Sequence, residues 1–191
     1  MTFREFIYLL RSDFHRHMGK PSPQKVLKYF LVIPGLKYSF YMRLCRYLRG
    51  KPFKAFGMFF VARVLLYHYS IKFGISIPDT TQIGSGFYIG HFGDIVVNSK
   101  SVIGRNCNIS QGVTIGQLNR GEHAGNPVIG DHVFIGPGAK ILGGIKVGNH
   151  VAIGANCVVV SDVPAHSVVV GVPGKVISQD GSEGYINQTD Y

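Results

Sequence analysis

No apolar run in this chain reaches the ~18–20 residues that a membrane-spanning helix requires. The longest candidate, Ala55 to Tyr67, is too short and is interrupted by Arg63. The N-terminus carries Arg4, an early acid at Glu5 and aromatics at Phe3 and Phe6, unlike a secretory leader. Cysteine occurs three times and never as CxxC, which excludes a disulfide framework and a thiolate metal knuckle. A reducing, cytoplasmic setting is the expectation. No His, Asp and Glu residues stand at ligand spacing, so no metal is expected. Acids are scarce as well, ten against twenty Lys and Arg, for a net charge of +10. Fourteen of those twenty bases, but only two of the ten acids, fall in residues 1–75. Such asymmetry points to two regions with different surroundings. No nucleic-acid recognition motif accompanies the charge, so nucleic acid is not an expected partner.

What the chain has is glycine and a period. From Ile77 an aliphatic residue returns every sixth position, at Ile83, Ile89 and Ile95. After a two-residue slip the series continues at Val97, Ile103, Ile109 and Ile115, and beyond an insertion at Ile129, Ile135, Ile141, Val147, Ile153 and Val159. Glycine often follows directly, as at Gly84, Gly104, Gly130 and Gly148, and a small or apolar residue sits four positions on. Helices repeat near 3.6 residues and strands near two. A six-residue period instead suits a short strand plus a turn, three of which close a triangular coil. The fold class read from this is mainly β, a parallel β-helix of hexapeptide repeats. Cys107 and Cys157 fall at the small inward position and read as core. The Gly84, Gly86 and Gly90 cluster follows the hexad, with no helix pattern after it, so it is not a dinucleotide loop.

Residues 1–72 read as a basic α-helical region. Phe3, Phe6, Ile7, Leu9, Leu10 and Phe14 suggest one amphipathic helix. Pro21, Pro23 and Pro34 break the following segments, and Tyr38–Leu48 and Phe53–Tyr69 suggest two more helices, the latter started by Pro52. Residues 73–177 form the β-helix. Residues 178–191 read as a polar, poorly ordered tail.

A packed solenoid keeps its chemistry on turns and inserted loops. The repeat breaks within Ile89–Val97, where His91 sits on a turn just before the register slips, and again at the polar insertion from Gln117 to Pro127. The segment Ile89–Val97, together with Gln111–Gly116, Ile135–Gly143 and Val169–Lys175, resembles the serine acetyltransferases and their relatives. That resemblance implies a left-handed coil, a homotrimer and acetyl-CoA bound between adjacent prisms. It makes His91 the general base for an acceptor hydroxyl, the task of an imidazole titrating near neutrality. Asn126 is the candidate amide donor for the developing oxyanion. Gly116, Gly136 and Ala155 would allow close approach of the pantetheine arm, with Lys140 and Lys175 as cations for its phosphates. Phe92, Asp94, Ser110, Gln111, Asn119 and His123 are the candidate acceptor contacts. His132 and His150 lie inside unbroken repeats and read as turn residues.

The sequence also departs from the family. Ser76 stands where the resemblance implies an aspartate partner for the histidine, Gly90 where it implies a second aspartate, and Asn126 where it implies a loop histidine. The layout therefore looks closer to the colanic acid and capsular polysaccharide O-acetyltransferases. On that reading the acceptor is a sugar hydroxyl of a polysaccharide or its lipid-linked precursor. Serine is the alternative acceptor. The basic helices would then make peripheral contact with the anionic inner membrane leaflet.

Overall fold

The computed structural model describes residues 1–20, 22–52 and 56–191. The expected breaks at Pro21 and the expected helix start at Phe53 lie outside them. Four helices come first: α1 (Phe3–Met18), α2 (Pro23–Val32), α3 (Pro34–Leu48) and α4 (Phe56–Phe73). Thr2 starts α1 with a capping box, accepting from the Glu5 amide while its own amide donates to the Glu5 carboxylate. Pro23 and Pro34 do not break helices, as the sequence reading had it. They begin them, because proline's fixed φ and missing N–H cost nothing in the first turn.

The strands wind into three stacked faces. The first holds Ile75–Ser76, Ile95–Val97, Thr114–Gly116, Lys140–Leu142 and Val158–Val159. The second holds Gln82–Ile83, Val102–Ile103, Val128–Ile129 and Lys146–Val147. The third runs from Tyr88–Ile89 through Asn108–Ile109, Phe134–Ile135 and Ala152–Ile153 to Val168–Val170. All these pairings are parallel, and Lys175–Ser178 closes the third face as an antiparallel strand. The hexad aliphatics fill the prism: Ile75, Ile95, Ile115 and Ile141 are fully buried on the first face alone. The two-residue slip is a register shift, since Ile95 pairs with Ile75 in the coil before it but Val97 pairs with Ile115 in the coil after it. The chain is less β-rich than the repeats suggested. Its helices hold more residues than its strands, because a hexad spends most of its length on corners.

Left-handed backbone falls two positions after the hexad glycine, at Asn106, His132, His150 and Asn156. The hexad glycines answer a different need, close stacking of coils. A Cβ on Gly104 would lie 2.5 Å from the Gly130 carbonyl oxygen of the next coil. His132, His150 and His166 consequently stack as a column, with ring centroids 4.7 and 4.9 Å apart.

The first coil would leave a raw edge of unpaired backbone groups, and the helices satisfy it. Tyr38 Oη donates to the Ile77 carbonyl and accepts from the Ile77 amide, both at 2.9 Å. Arg43 donates to the carbonyls of Ile83 and Gly84, and Arg46 to that of Thr81. The Gly86 amide donates to Ser12, and the Phe87 amide to Asp13. Arg49 and Arg63 pair with the buried Asp79. Part of the cap's positive charge is thus turned inward, where Arg43 and Arg46 plug the end of the β-helix. No helix among the described residues is long and apolar enough to cross a membrane.

The tail, expected to be poorly ordered, is docked. Tyr185 stacks on Phe134 at 4.4 Å, Arg16 donates to the Asn187 carbonyl, Asp190 meets His15 at 3.0 Å, and Tyr191 Oη donates to Asn106. Its aromatic residues dock there: Tyr185 on the third face and Tyr191 beside Tyr8 of α1.

Candidate active site

His91 occupies the corner between the third and first faces. The turn that presents it is tightly held. The Gly112 amide donates to the Gly93 carbonyl at 2.8 Å, and the Ile95 amide to the Gly74 carbonyl at 3.0 Å. Asp94 takes the left-handed conformation, φ 53°, which is uncommon outside glycine but which aspartate tolerates better than most residues. Just past the end of α4 the backbone runs close to this turn: a Cβ on Gly74 would stand 3.1 Å from the Asp94 nitrogen. The Phe92 ring lies 5.8 Å from Phe73. His91, Phe92 and Asp94 are all exposed.

Pairing of Ile89 with Ile109, and of Ile109 with Ile135, stacks further residues on this corner. Ser110 and Gln111 come one coil after His91, followed by Gly136 and then Ala155. Gln111 Oε1 is buried without a partner among the described residues. The predicted residues His91, Phe92, Asp94, Ser110, Gln111, Gly136 and Ala155 therefore share one corner.

The others do not. The insertion leaves the first face at its opposite corner, where Leu118 and Gly125 exchange backbone hydrogen bonds and the Gly144 amide donates to the His123 carbonyl. Gly116, Asn119, His123 and Asn126 belong to this second corner. Six residues separate Gln111 from Gln117 across the face, roughly 20 Å of extended chain. Within one chain Asn126 does not serve His91. Asn119 accepts from Gln117 Nε2 at 2.7 Å, whereas the Oδ1 of Asn126 is buried and unpartnered among the described residues. Lys140 is not a free cation either: its ammonium donates to the Gly112 carbonyl and to Thr114 Oγ1. Lys175 is exposed.

Sequence reading missed what fills the space beside Gly90. A Cβ there would lie 3.1 Å from Tyr88 Cε1, so the tyrosine ring covers the position. His17 stacks on that ring at 4.3 Å, and the Arg16 guanidinium sits 5.6 Å from its centroid. Only the meeting of α1 with the third face reveals this. Burial, then the charge of Arg16, pushes the His17 pKa down to about 3. A histidine with a lowered folded pKa stabilises fully above its unfolded value, and that contribution is lost as pH falls from about 6.5 toward 3. Stability should decline by about 1.4 kcal/mol per pH unit in that window on account of this group. Urea unfolding midpoints between pH 7 and pH 5 test this. His17→Phe should flatten the slope, and an unchanged slope refutes the assignment.

Comparisons with known proteins agree with this fold. The family model described as bacterial transferase hexapeptide (six repeats) matches residues 126–161. A serine acetyltransferase of Bacillus pumilus (strain SAFR-032) is 32% identical over 93% of this chain and 80% of its own length. One from Staphylococcus aureus (strain Mu50 / ATCC 700699) is 44% identical over 56% of this chain; the chain spans about half, 51%, of that relative. The crystal structure of serine acetyltransferase from Brucella abortus strain S19 superposes with a TM-score of 0.75 at 30% identity, covering 94% of this chain and 72% of that one. A serine acetyltransferase solved in complex with CoA gives 0.71 at 31% identity, over 92% and 70%. With these neighbours the fold is a left-handed β-helix preceded by a helical region.

Proposed function

The chain belongs to the serine acetyltransferase family of hexapeptide-repeat transferases, and from that premise we propose that it transfers the acetyl group of acetyl-CoA to the side-chain hydroxyl of L-serine. The expectation of a sugar acceptor is overturned. The similar proteins are serine acetyltransferases over nearly the whole chain, and nothing among them supports the likeness to colanic acid and capsular enzymes. The lipid-linked acceptor falls with it. The observation that carries the new reading is this similarity together with an exposed His91 on a rigid corner.

In the proposed reaction His91 takes the hydroxyl proton as the serine oxygen bonds to the thioester carbonyl carbon. The tetrahedral intermediate then collapses, the carbon–sulfur bond breaks, and the CoA sulfur leaves with the proton returned from His91. Developing charge on the carbonyl oxygen needs a donor, and the Asn126 amide supplies it. Because His91 and Asn126 sit on different corners, the donor comes from a second copy, and three copies close the ring. Asp94 is the acid on the His91 turn for serine's ammonium group. Arg120, the one Lys or Arg on the insertion, meets its carboxylate. Gly136 and Ala155 leave room for the pantetheine arm, with Lys175 toward the phosphates.

The direct test follows CoA thiol release from acetyl-CoA with and without L-serine. Serine-dependent release with formation of O-acetylserine is the expected result. Turnover unaffected by serine over millimolar concentrations refutes the acceptor assignment.

A further inference from the structure

A groove of about 700 Å³ opens where α1, α2 and α3 meet, away from the β-helix corners. Leu10, Phe14, Val26, Phe30 and Phe40 wall it, and Leu27, 62% exposed, stands at its rim. Its volume lies in the ~300–1,000 Å³ range of small-molecule sites, which combine apolar walls with few polar groups. Here the one charged lining residue is Arg11, exposed and with no ion-pair partner among the described residues, and no described lining residue is an acid. An apolar trough with a single cation at its mouth matches a linear hydrocarbon ending in a negative charge. We propose that this groove binds a single-chain anionic amphiphile of the fatty carboxylate class, its chain along Phe14, Phe30 and Phe40 and its carboxylate on Arg11.

A second copy of the chain fits less well. The exposed charges of α1 and α2 include Arg4, Arg11, Lys25 and Lys28, while Glu5 is engaged in the cap with Thr2 and Asp13 is buried against Arg43. Two such faces brought together would oppose like charges, with Glu5 the one exposed acid on α1 and α2 to offset them. An anionic ligand meets the same field favourably.

Isothermal titration of the full chain with decanoate, dodecanoate and tetradecanoate, each below its micelle concentration, tests the proposal. Affinity should rise about fourfold per added methylene, the value of one buried CH₂. Arg11→Gln should weaken carboxylate binding about three- to fivefold, as for an exposed ion pair, and leave the twelve-carbon alcohol unaffected. Leu27→Asp, at an exposed position that need not disturb folding, should weaken both ligands while the circular dichroism stays unchanged. Four results would each overturn the proposal: no dependence on chain length, equal loss of acid and alcohol in Arg11→Gln, binding only to anionic phospholipid vesicles, or a groove closed by dimerisation in sedimentation.

Discussion

Replacing His91 with alanine should lower serine-dependent thiol release by ~10²–10⁴-fold, the range typical of a lost general base. The side chain is exposed, and its turn is held by backbone contacts from Gly93 to Gly112 and from Ile95 to Gly74. The stability cost should therefore stay within about 0.5 kcal/mol, as for other surface positions without special contacts. The informative combination is a folded protein of unchanged thermal midpoint that has lost turnover. A variant His91→Gln, which keeps hydrogen bonding but not basicity, should be as slow as alanine. Near-normal turnover in either would remove His91 from the mechanism and leave the corner without a base.

The largest effect on stability should come from Arg43→Met. Arg43 and Asp13 are each 1% exposed, with the guanidinium 3.1 Å from Asp13 Oδ2. The same guanidinium donates to the Ile83 carbonyl at 2.7 Å and the Gly84 carbonyl at 2.6 Å. Asp13 in turn accepts from Ser39 Oγ and from the Phe87 amide. Removing the cation strands a buried carboxylate and two carbonyls at once, a loss of about 3–5 kcal/mol for one partner of a buried pair. Urea unfolding measures it directly. Asp13→Asn in the Arg43→Met background should recover part of the loss, because the uncompensated charge is then gone. If Arg43→Met costs less than about 1 kcal/mol, the end of the β-helix is capped by something other than this network.

His91 stood out in the sequence because its turn comes just before the two-residue slip from Ile95 to Val97 and because Ile89–Val97 resembles the serine acetyltransferases. Ile89 and Ile95 keep the hexad, and the residues between them carry the exposed imidazole. For Asn126 the insertion was legible in the sequence but not the corner it occupies. Its loop was recognised as an insertion, but the distance from His91 depends on which corner the insertion leaves. Lys140 shows the same limit: an outward lysine at strand phase looks free until the preceding coil offers the Gly112 carbonyl and Thr114 hydroxyl to its ammonium. The acceptor was misjudged because Ser76 and Gly90 were weighed as missing charges, whereas similarity along the chain ties it to serine acetyltransferases.

By itself the sequence determined the coil. Burying one residue in six along a prism is a local rule, repeated at Ile83, Ile103 and Ile129 down a single face, so spacing alone carries it. Only the tertiary structure decided how the coil ends and what surrounds the His91 corner. Arg43, Tyr38 and Asp13 act on backbone groups some 40 or more residues away, and Tyr88 covers Gly90 with His17 behind it. Hydrogen bonds and ring contacts depend on distance in space. Between segments so far apart in the chain, no period in the sequence encodes that distance.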